Sequence, residues 1–476
     1  MNKQPLSPEE HTTTRSAIAV SMIALLSVLT WTCALHAEWS AAGNPVCTAV
    51  GNQDNSSLQS TSDGAGGAIF VWEDMRSGET DLYAQRIDAA GNALWTYNGI
   101  CICNALNVQE NVRIIPDGLG GAIIAWEDRR NFTEADNRIE TWAQRVAANG
   151  TPHWTANGTR IYTYPNGWNT GVSMTTDGAN GAIITWFRRS LADSGPICCE
   201  RITGAGVKWH ANDWECLEIR SSGARPAITS DGAGGAIVAW RMTGSMKVQR
   251  VSPTGSLLWS WDGISISSAG DYAAIIADGA GGAIIAWNNT PSGASRDIYA
   301  QRVNSSGVVQ WTAGGKPICT ADDDQYEARI ATNGSNGAFV IWRDGRNNGD
   351  VYLATVSAGG VSSSPVPICT LAPTIYDHTI IADGLGGAYI SWYDWRTGYW
   401  GIYAQRLNSS GTPQWTLNGL AVYSAYSTER RMPALASDGN GGVHFCAARA
   451  CRRLCDAGVL YPVTHAGAIA GLADAQ

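Results

Sequence analysis

Four short stretches of the chain put a carboxylate and a guanidinium two residues apart, directly behind a tryptophan. They are Trp72-Glu73-Asp74-Met75-Arg76, then Trp126, Asp128, Arg130, then Trp342, Asp344, Arg346, and last Trp392, Asp394, Arg396. Such a set offers two kinds of chemistry. Asp and Arg gathered on one surface would form a polar, ligand-facing rim. Two carboxylates about 5–10 Å apart would instead make an acid/base pair of the kind that cleaves glycans. The pairs also have a plain structural use as local ion pairs that order a loop. Exposed pairs of that kind contribute only about 0–1 kcal/mol. Asp74, Arg76, Asp128, Arg130, Asp344, Arg346, Asp394 and Arg396 are the candidate rim.

Other site chemistry is thinly represented. There is no Gly-x-Ser-x-Gly elbow, no His-Glu-x-x-His pair and no phosphate-binding Gly-Lys-Ser/Thr loop. His153, His210, His378, His444 and His465 are scattered without metal-ligand spacing. No catalytic, cofactor-binding or metal-binding residue is assigned on this basis. Asp322-Asp323-Asp324 is the densest acidic cluster, read as a solvated loop or as a cation or polar-ligand site. Trp168, Tyr326 and Tyr376 fall in predicted loops, where they could stack on sugar rings or simply pack. The net charge is −9 with no block of Lys or Arg, which argues against a nucleic-acid partner.

The elements that must carry these residues come from a repeat. The phrase Ser62-Asp63-Gly64-Ala65-Gly66-Gly67-Ala68-Ile69-Phe70-Val71-Trp72 recurs with its Asp-Gly or Asn-Gly at 63, 117, 177, 231, 278, 333, 383 and 438. The spacings are 54, 60, 54, 47, 55, 50 and 55 residues. Periodicity of this length marks a repeat architecture. Each copy parses into four strands. One precedes the Asp-Gly turn, and an apolar one follows it and ends at Trp. The third is of the Asp297-Ile298-Tyr299-Ala300-Gln301-Arg302-Val303 type. The fourth starts near a second Trp and ends apolar, as in Trp311 to Cys319. Gly accepts the positive φ of the hairpin turn without steric cost.

Four short strands per copy and no helical period predict an all-β fold, a single β-propeller of eight four-stranded antiparallel blades. Residues 38–445 hold the repeats. The segment Trp39 to Cys47 matches a fourth strand with no preceding three, and the last copy lacks a recognisable fourth strand. The N-terminal strand is therefore expected to close the ring in the last blade and remove its open edges. Residues 446–476 diverge from the pattern. They read either as the end of the last blade, with Val459 to Thr464 as its third strand, or as a stretch out of the original coding frame.

Lys3 and Arg15 precede an apolar run from Ala17 to Trp31, and Ala34 to Ala37 offers a cleavage point. Residues 1–37 are read as an export signal, with an uncleaved anchor as the alternative. The expected location is secreted, cell-surface or periplasmic, with no membrane span once the signal is removed. Twelve cysteines in an exported chain invite disulfides. However, Cys47, Cys103, Cys319 and Cys369 occupy equivalent places in different repeats, too far apart for a bond, and are read as small buried hydrophobes. Cys446, Cys451 and Cys455 are the exception.

Residues 39–445 resemble the exported bacterial propellers built from an Asp-Gly-x-Gly-Gly turn, a Trp-x-Asp-x-Arg loop and an Asp-Ile-Tyr-Ala-Gln-Arg strand. A Gly followed four residues later by Trp, as at Gly91/Trp95, Gly150/Trp154, Gly255/Trp259, Gly307/Trp311 and Gly411/Trp415, resembles the docking Trp of eight-bladed quinoprotein dehydrogenases. Of these five glycines only Gly255 is preceded by the Thr those enzymes carry, Thr254. The resemblance implies architecture more than activity, because propellers host many functions. The expected function is a monomeric binding or interaction module that recognises an extracellular ligand, a glycan or a protein, through loops on one face. The alternatives are a glycan-acting enzyme using loop carboxylates and a structural surface component.

Overall fold

The protein is described by a computed structural model that covers residues 1, 44–50, 53–165, 167–189, 194–290, 295–347, 349–371, 375–423, 429–450 and 457–463. Apart from Met1, the expected export signal lies outside the described residues, as do Trp39, Cys451 and Cys455. All the described strands lie between Asn44 and Val463. Among the described residues one 3-10 turn, Gly345–Asn347, interrupts them. Among the described residues no helix is long and apolar enough to cross a membrane.

The strands form antiparallel sheets in chain order. Repeats 1, 2, 5, 6 and 7 each make one four-stranded sheet. In repeat 1 its strands are Gln53–Ser62, Ala68–Asp74, Asp81–Ile87 and Ile100–Cys103. Repeats 3 and 4 share a seven-stranded sheet instead. There the 14-residue strand Leu217–Ser230 is the last strand of one repeat and the first of the next. The two strands expected from the sequence merge because Ser221-Ser222-Gly223 continues in extended form, where other repeats insert a linking loop such as 104–108. A further sheet joins Glu429–Ser437, Val443–Ala450, Ala457–Val463 and, on its outer edge, Asn44–Cys47. Its register pairs Asn44 with Leu460 and Cys47 with Ala457.

The second strands are covered on both faces. Every residue of Ala68–Asp74 and Ala122–Asp128 is buried, and so are the strand-end residues Trp72, Trp126, Trp186, Trp240, Trp287, Trp342 and Trp392. That burial comes from neighbouring sheets packing face to face, with the first strand of each repeat beside that of the next and Glu429–Ser437 beside Gln53–Ser62.

Two polar devices join neighbouring sheets. At each turn the Asp accepts from the backbone, as Asp63 Oδ1 does from the N–H of Ala65 and Gly67 at 2.8 Å. Gly67 must be Gly, since a Cβ there would come within 2.1 Å of the Ile87 carbonyl oxygen. The other carboxylate oxygen takes Arg86 Nε and Nη2 at 3.0 and 2.8 Å, while Arg86 Nη1 donates to the Ala148 carbonyl of the next repeat. Arg145, Arg201, Arg250 and Arg302 repeat this bridge. The second device is the docking tryptophan. Trp95 Nε1 donates to the same Ala148 carbonyl at 3.0 Å, and its ring lies on Gly150. Trp154, Trp209, Trp259 and Trp311 do likewise one repeat on.

Candidate functional site

The eight rim residues form four copies of one internal clasp. Asp74 accepts from Trp72 Nε1 at 2.9 Å and from the Nε, Nη2 and backbone N–H of Arg76. Arg76 lies 3.7 Å from the Tyr83 ring centre and donates to the Asn98 carbonyl and to Cys47 Sγ. Asp128 and Arg130 repeat this with Trp126, Trp142, Asn157 and Cys103, and Asp394 and Arg396 with Trp392, Tyr403, Asn418 and Cys369. Asp344 and Arg346 keep the Trp342 and Tyr352 contacts. All four carboxylates are fully buried. Burial opposes the charge on Asp74, but hydrogen bonds from Arg76 and Trp72 outweigh it and hold its pKa below the usual carboxylate value. None of these eight residues lines the clefts described next.

The first strand of every repeat carries an irregularity against its partner. In six repeats one residue there takes a positive φ: Asn111, Gly171, Arg225, Tyr272, Glu327 and Asp377. Bulges of this kind re-aim side chains and are frequent beside functional sites. The residue after the strand-end Trp pins the bulge of the next repeat. Glu73 Oε1 accepts from Asn111 N–H at 3.1 Å, and Glu127 Oε1 accepts from Gly171 N–H at 2.9 Å.

Three adjoining clefts open along these bulges. The first, about 600 Å³, is lined by Glu110, Arg113, Glu127, Arg129, Phe132 and Trp168, among others. The second, about 630 Å³, shares Asn137, Trp168 and Arg189 with it and adds Tyr164, Arg188, Ser221 and Ser222. The third, about 450 Å³, shares Asn111 and Arg113 with the first. It reaches Gln59, Arg329, Asp377 and His378, on the first strands of repeats 1, 6 and 7. The loop of repeat 2 between its second and third strands, 129–139, borders the first cleft. It outruns its counterpart 75–80 in repeat 1 and bridges from Ile139 to Trp168.

Several arginines and aromatic rings meet along these clefts, beside the carboxyls of Glu110, Glu127 and Asp377. Arg189 lies 5.8 Å from the Trp168 ring centre, and Arg188 lies 4.5 Å from that of Tyr164. Arg129 pairs with Glu110 at 2.6 Å. Arg113 and Arg329 have no ion-pair partner among the described residues. Their hydrogen bonds run to the neighbouring carbonyls of Val112 and Ala328. Burial lowers the pKa of Arg113, with Glu127 opposing and Arg329 adding repulsion. Burial pushes Glu127 up to about 7, against hydrogen bonds from Asn111 and Gly171. His378 is fully buried. Burial, Arg329 and Arg343 hold its pKa well below the usual imidazole value, so it is neutral.

Trp168, expected in a loop, is instead the first residue of the strand Trp168–Thr176, because that strand begins two residues earlier than the sequence pattern placed it, and it stands at the junction of two clefts. Tyr376 and Tyr326, also expected in loops, lie in the strands Ile375–Ala382 and Gln325–Thr332; Tyr376 packs on Tyr393 and Trp400, Tyr326 lies under Arg343, and neither lines these clefts. Asp324 binds back to Arg296, while the Asp322 and Asp323 carbonyls take Gln325. Among the described residues no group of three or more His, Cys, Asp or Glu is placed to hold a metal.

No protein-family model and no curated protein matches the chain. Among solved structures it is similar to the BP39L lectin of Burkholderia pseudomallei. The identity is 12% over 78% of this chain and 100% of the lectin, with a TM-score of 0.51. It is also similar to a protein of unknown function from Dyadobacter fermentans, at 10% identity, 88% and 98% coverage and TM-score 0.41. A GH43_1 enzyme of Xanthomonas citri matches at 12% identity, 54% and 94% coverage and TM-score 0.29. The first of these supports an all-β, β-propeller-like fold for this chain and carries nothing beyond the fold.

Proposed function

We propose that this chain is an exported, eight-bladed β-propeller, closed by its N-terminal strand, that binds an acidic glycan on its loop-bearing face. In this reading the ligand lies in the clefts that run from the centre of the ring across repeats 2 to 4. The closed ring is supported by the pairing of Asn44–Cys47 with Ala457–Val463 and by the contact between the first strands of repeats 8 and 1.

One observation carries the ligand class. A chain of net charge −9 gathers Arg113, Arg129, Arg188, Arg189 and Arg329 along one set of clefts. Two of them, Arg113 and Arg329, lack a carboxylate ion-pair partner among the described residues. A carboxylate- or sulfate-bearing sugar supplies that charge, since arginine recognises such groups in bidentate geometry. Trp168 supplies an apolar face for a sugar ring. The Asp-Arg clasps serve as scaffold, fixing the loops around the clefts.

The test is a glycan array with neutral, uronic-acid, sialylated and sulfated members, followed by calorimetry on the binders. Acidic glycans are expected to bind. Trp168→Ala and Arg113→Met should each weaken binding about tenfold or more, or about 1.4 kcal/mol. Equal binding of neutral glycans, or no glycan bound at millimolar concentration, would sink the reading.

A second reading, glycan hydrolysis, has one specific observation behind it. Glu110 and Glu127 are directly opposed in register, so their side chains share one face of the sheet. Glu110 is held by Arg129, whereas Glu127 carries a raised pKa, which is how acid and base roles separate. Release of reducing ends from a bound glycan, abolished in Glu127→Gln, would favour this reading over simple binding.

A further inference from the structure

Repeat 3 departs from its neighbours at two facing positions. In the other repeats the residue opposite the strand-end Trp is large: Tyr83, Trp142, Lys247, Tyr299, Tyr352 and Tyr403. In repeat 3 it is Cys198, opposite Trp186. The residue before the fourth strand is Gly99, Gly158, Gly263, Gly315 or Gly419 in five repeats and Pro365 in repeat 6. There is no room for more at the glycines, because a Cβ at Gly99 would lie 2.6 Å from the Trp72 ring. In repeat 3 the position holds Cys216.

The backbone explains how a side chain fits at that point. Trp209 and Leu217 are eight positions apart, where Trp95 and Ile100 are five, so repeat 3 approaches its fourth strand through three extra residues. Cys216 is absent from the residues with positive φ, unlike the glycines it replaces. Its Sγ lies 2.6 Å from the Sγ of Cys198, closer than two unbonded sulfurs settle. Cys199 cannot compete, because successive strand residues point to opposite faces. Cys198 packs with Trp186, whereas Cys199 packs with Trp240.

Repeat 3 also lacks the clasp that repeats 1, 2, 6 and 7 carry. Arg188 stands where Asp74 stands in repeat 1, and Trp186 Nε1 has no hydrogen-bond partner. The clasp arginines of repeats 1, 2 and 7 each bond the carbonyl just before the glycine that Cys216 replaces.

We propose that Cys198 and Cys216 form a disulfide that replaces the missing clasp, tying the third strand of repeat 3 to the start of its fourth. The oxidant is a disulfide such as glutathione disulfide. The two thiols lose two protons and two electrons, a Sγ–Sγ bond forms, and the oxidant is reduced to two thiols. Cys198 lies two residues from Pro196, which lines the second cleft. It closes a short loop, and such links stabilise chiefly by restricting the unfolded chain.

The test uses the full chain, equilibrated with glutathione disulfide, denatured without reductant, alkylated and peptide-mapped. The expected result is one crosslinked peptide pair joining 198 and 216, with Cys47, Cys101, Cys103, Cys199, Cys319, Cys369 and Cys446 alkylated. Reductant should then lower the melting temperature of the wild type, and not that of the Cys198→Ser, Cys216→Ser double variant. Alkylation of both Cys198 and Cys216 after oxidation would overturn the proposal, as would a crosslink from Cys216 to Cys199. Should the double variant fail to fold, the peptide map on the wild type still decides.

Discussion

Arg76 Nη2 donates to Cys47 Sγ at 3.2 Å, across the boundary between the first repeat and the strand that edges the last sheet. The same bond runs from Arg130 to Cys103 and from Arg396 to Cys369, each time from one repeat to the fourth strand of the repeat before it. Cys47 thus stands where the fourth strand of a preceding repeat would put it. Asn44 and Thr48 add bonds to the Gly91 carbonyl and the Asn98 side chain. A chain starting at Asn52 loses all of these and exposes the edge of Ala457–Val463. It should melt many degrees lower and aggregate through that edge. A truncated chain with the melting temperature of the whole would remove the ring-closing role of the N-terminal strand.

The clasp itself should be costly to break. Asp394 is fully buried and the Arg396 side chain is 15% exposed. Asp394→Ala leaves the guanidinium over Tyr403 without its carboxylate, and losing one partner of a buried pair costs about 3 kcal/mol. Urea unfolding measures this, and glycan binding should be unchanged because the pair lies away from the clefts. A cost under about 1 kcal/mol, or lost binding at full stability, would return these residues to a ligand-facing role.

The Asp-Gly turns, the strand-end tryptophans and the Trp-x-Asp-x-Arg loops stood out because they recur, the turn in eight repeats, the tryptophan in seven and the Asp-Arg clasp in four. The partner of the turn Asp was not legible, because Arg86 reaches Asp63 across 23 residues and only the fold brings them together. The bulge residues were invisible for another reason. Asn111, Gly171, Arg225, Tyr272, Glu327 and Asp377 share a backbone conformation and no side chain. The clefts lie where the repeats differ, at the long loop 129–139 and at Trp168. Periodicity therefore located the frame, and departures from it located the candidate site. Cys198 and Cys216 follow the same rule.

Trp240 tests the packing argument without polar complications. Its indole is fully buried between repeats 3 and 4, and its Nε1 has no hydrogen-bond partner among the described residues, so truncation removes contacts and no hydrogen bond. Trp240→Ala should cost about 3–5 kcal/mol, as large-to-small core changes do. A midpoint shift worth less than about 1 kcal/mol would show that the neighbouring sheet collapses into the space.

Glu127 gives the cleft a pH dependence with a definite sign. Its folded-state pKa is pushed up to about 7 by burial, above the roughly 4.3 of an unfolded glutamate. Between those values the folded chain keeps a proton that the unfolded chain has released. This group's contribution to stability is therefore complete below about pH 4.3, falls as the pH rises to about 7, and is level beyond. Glu127→Gln should remove that slope from a series of unfolding curves. The same proton governs the ligand. Below about pH 7 the carboxyl is neutral and Arg113 sets the charge of the first cleft. Above it, the ionised carboxylate offsets Arg113 and repels an acidic sugar. Affinity for an acidic glycan should therefore fall between pH 6 and pH 8 in the wild type and stay level in Glu127→Gln. An equal fall in both proteins would place the titrating group elsewhere, and a rise in the wild type would contradict an anionic ligand in this cleft.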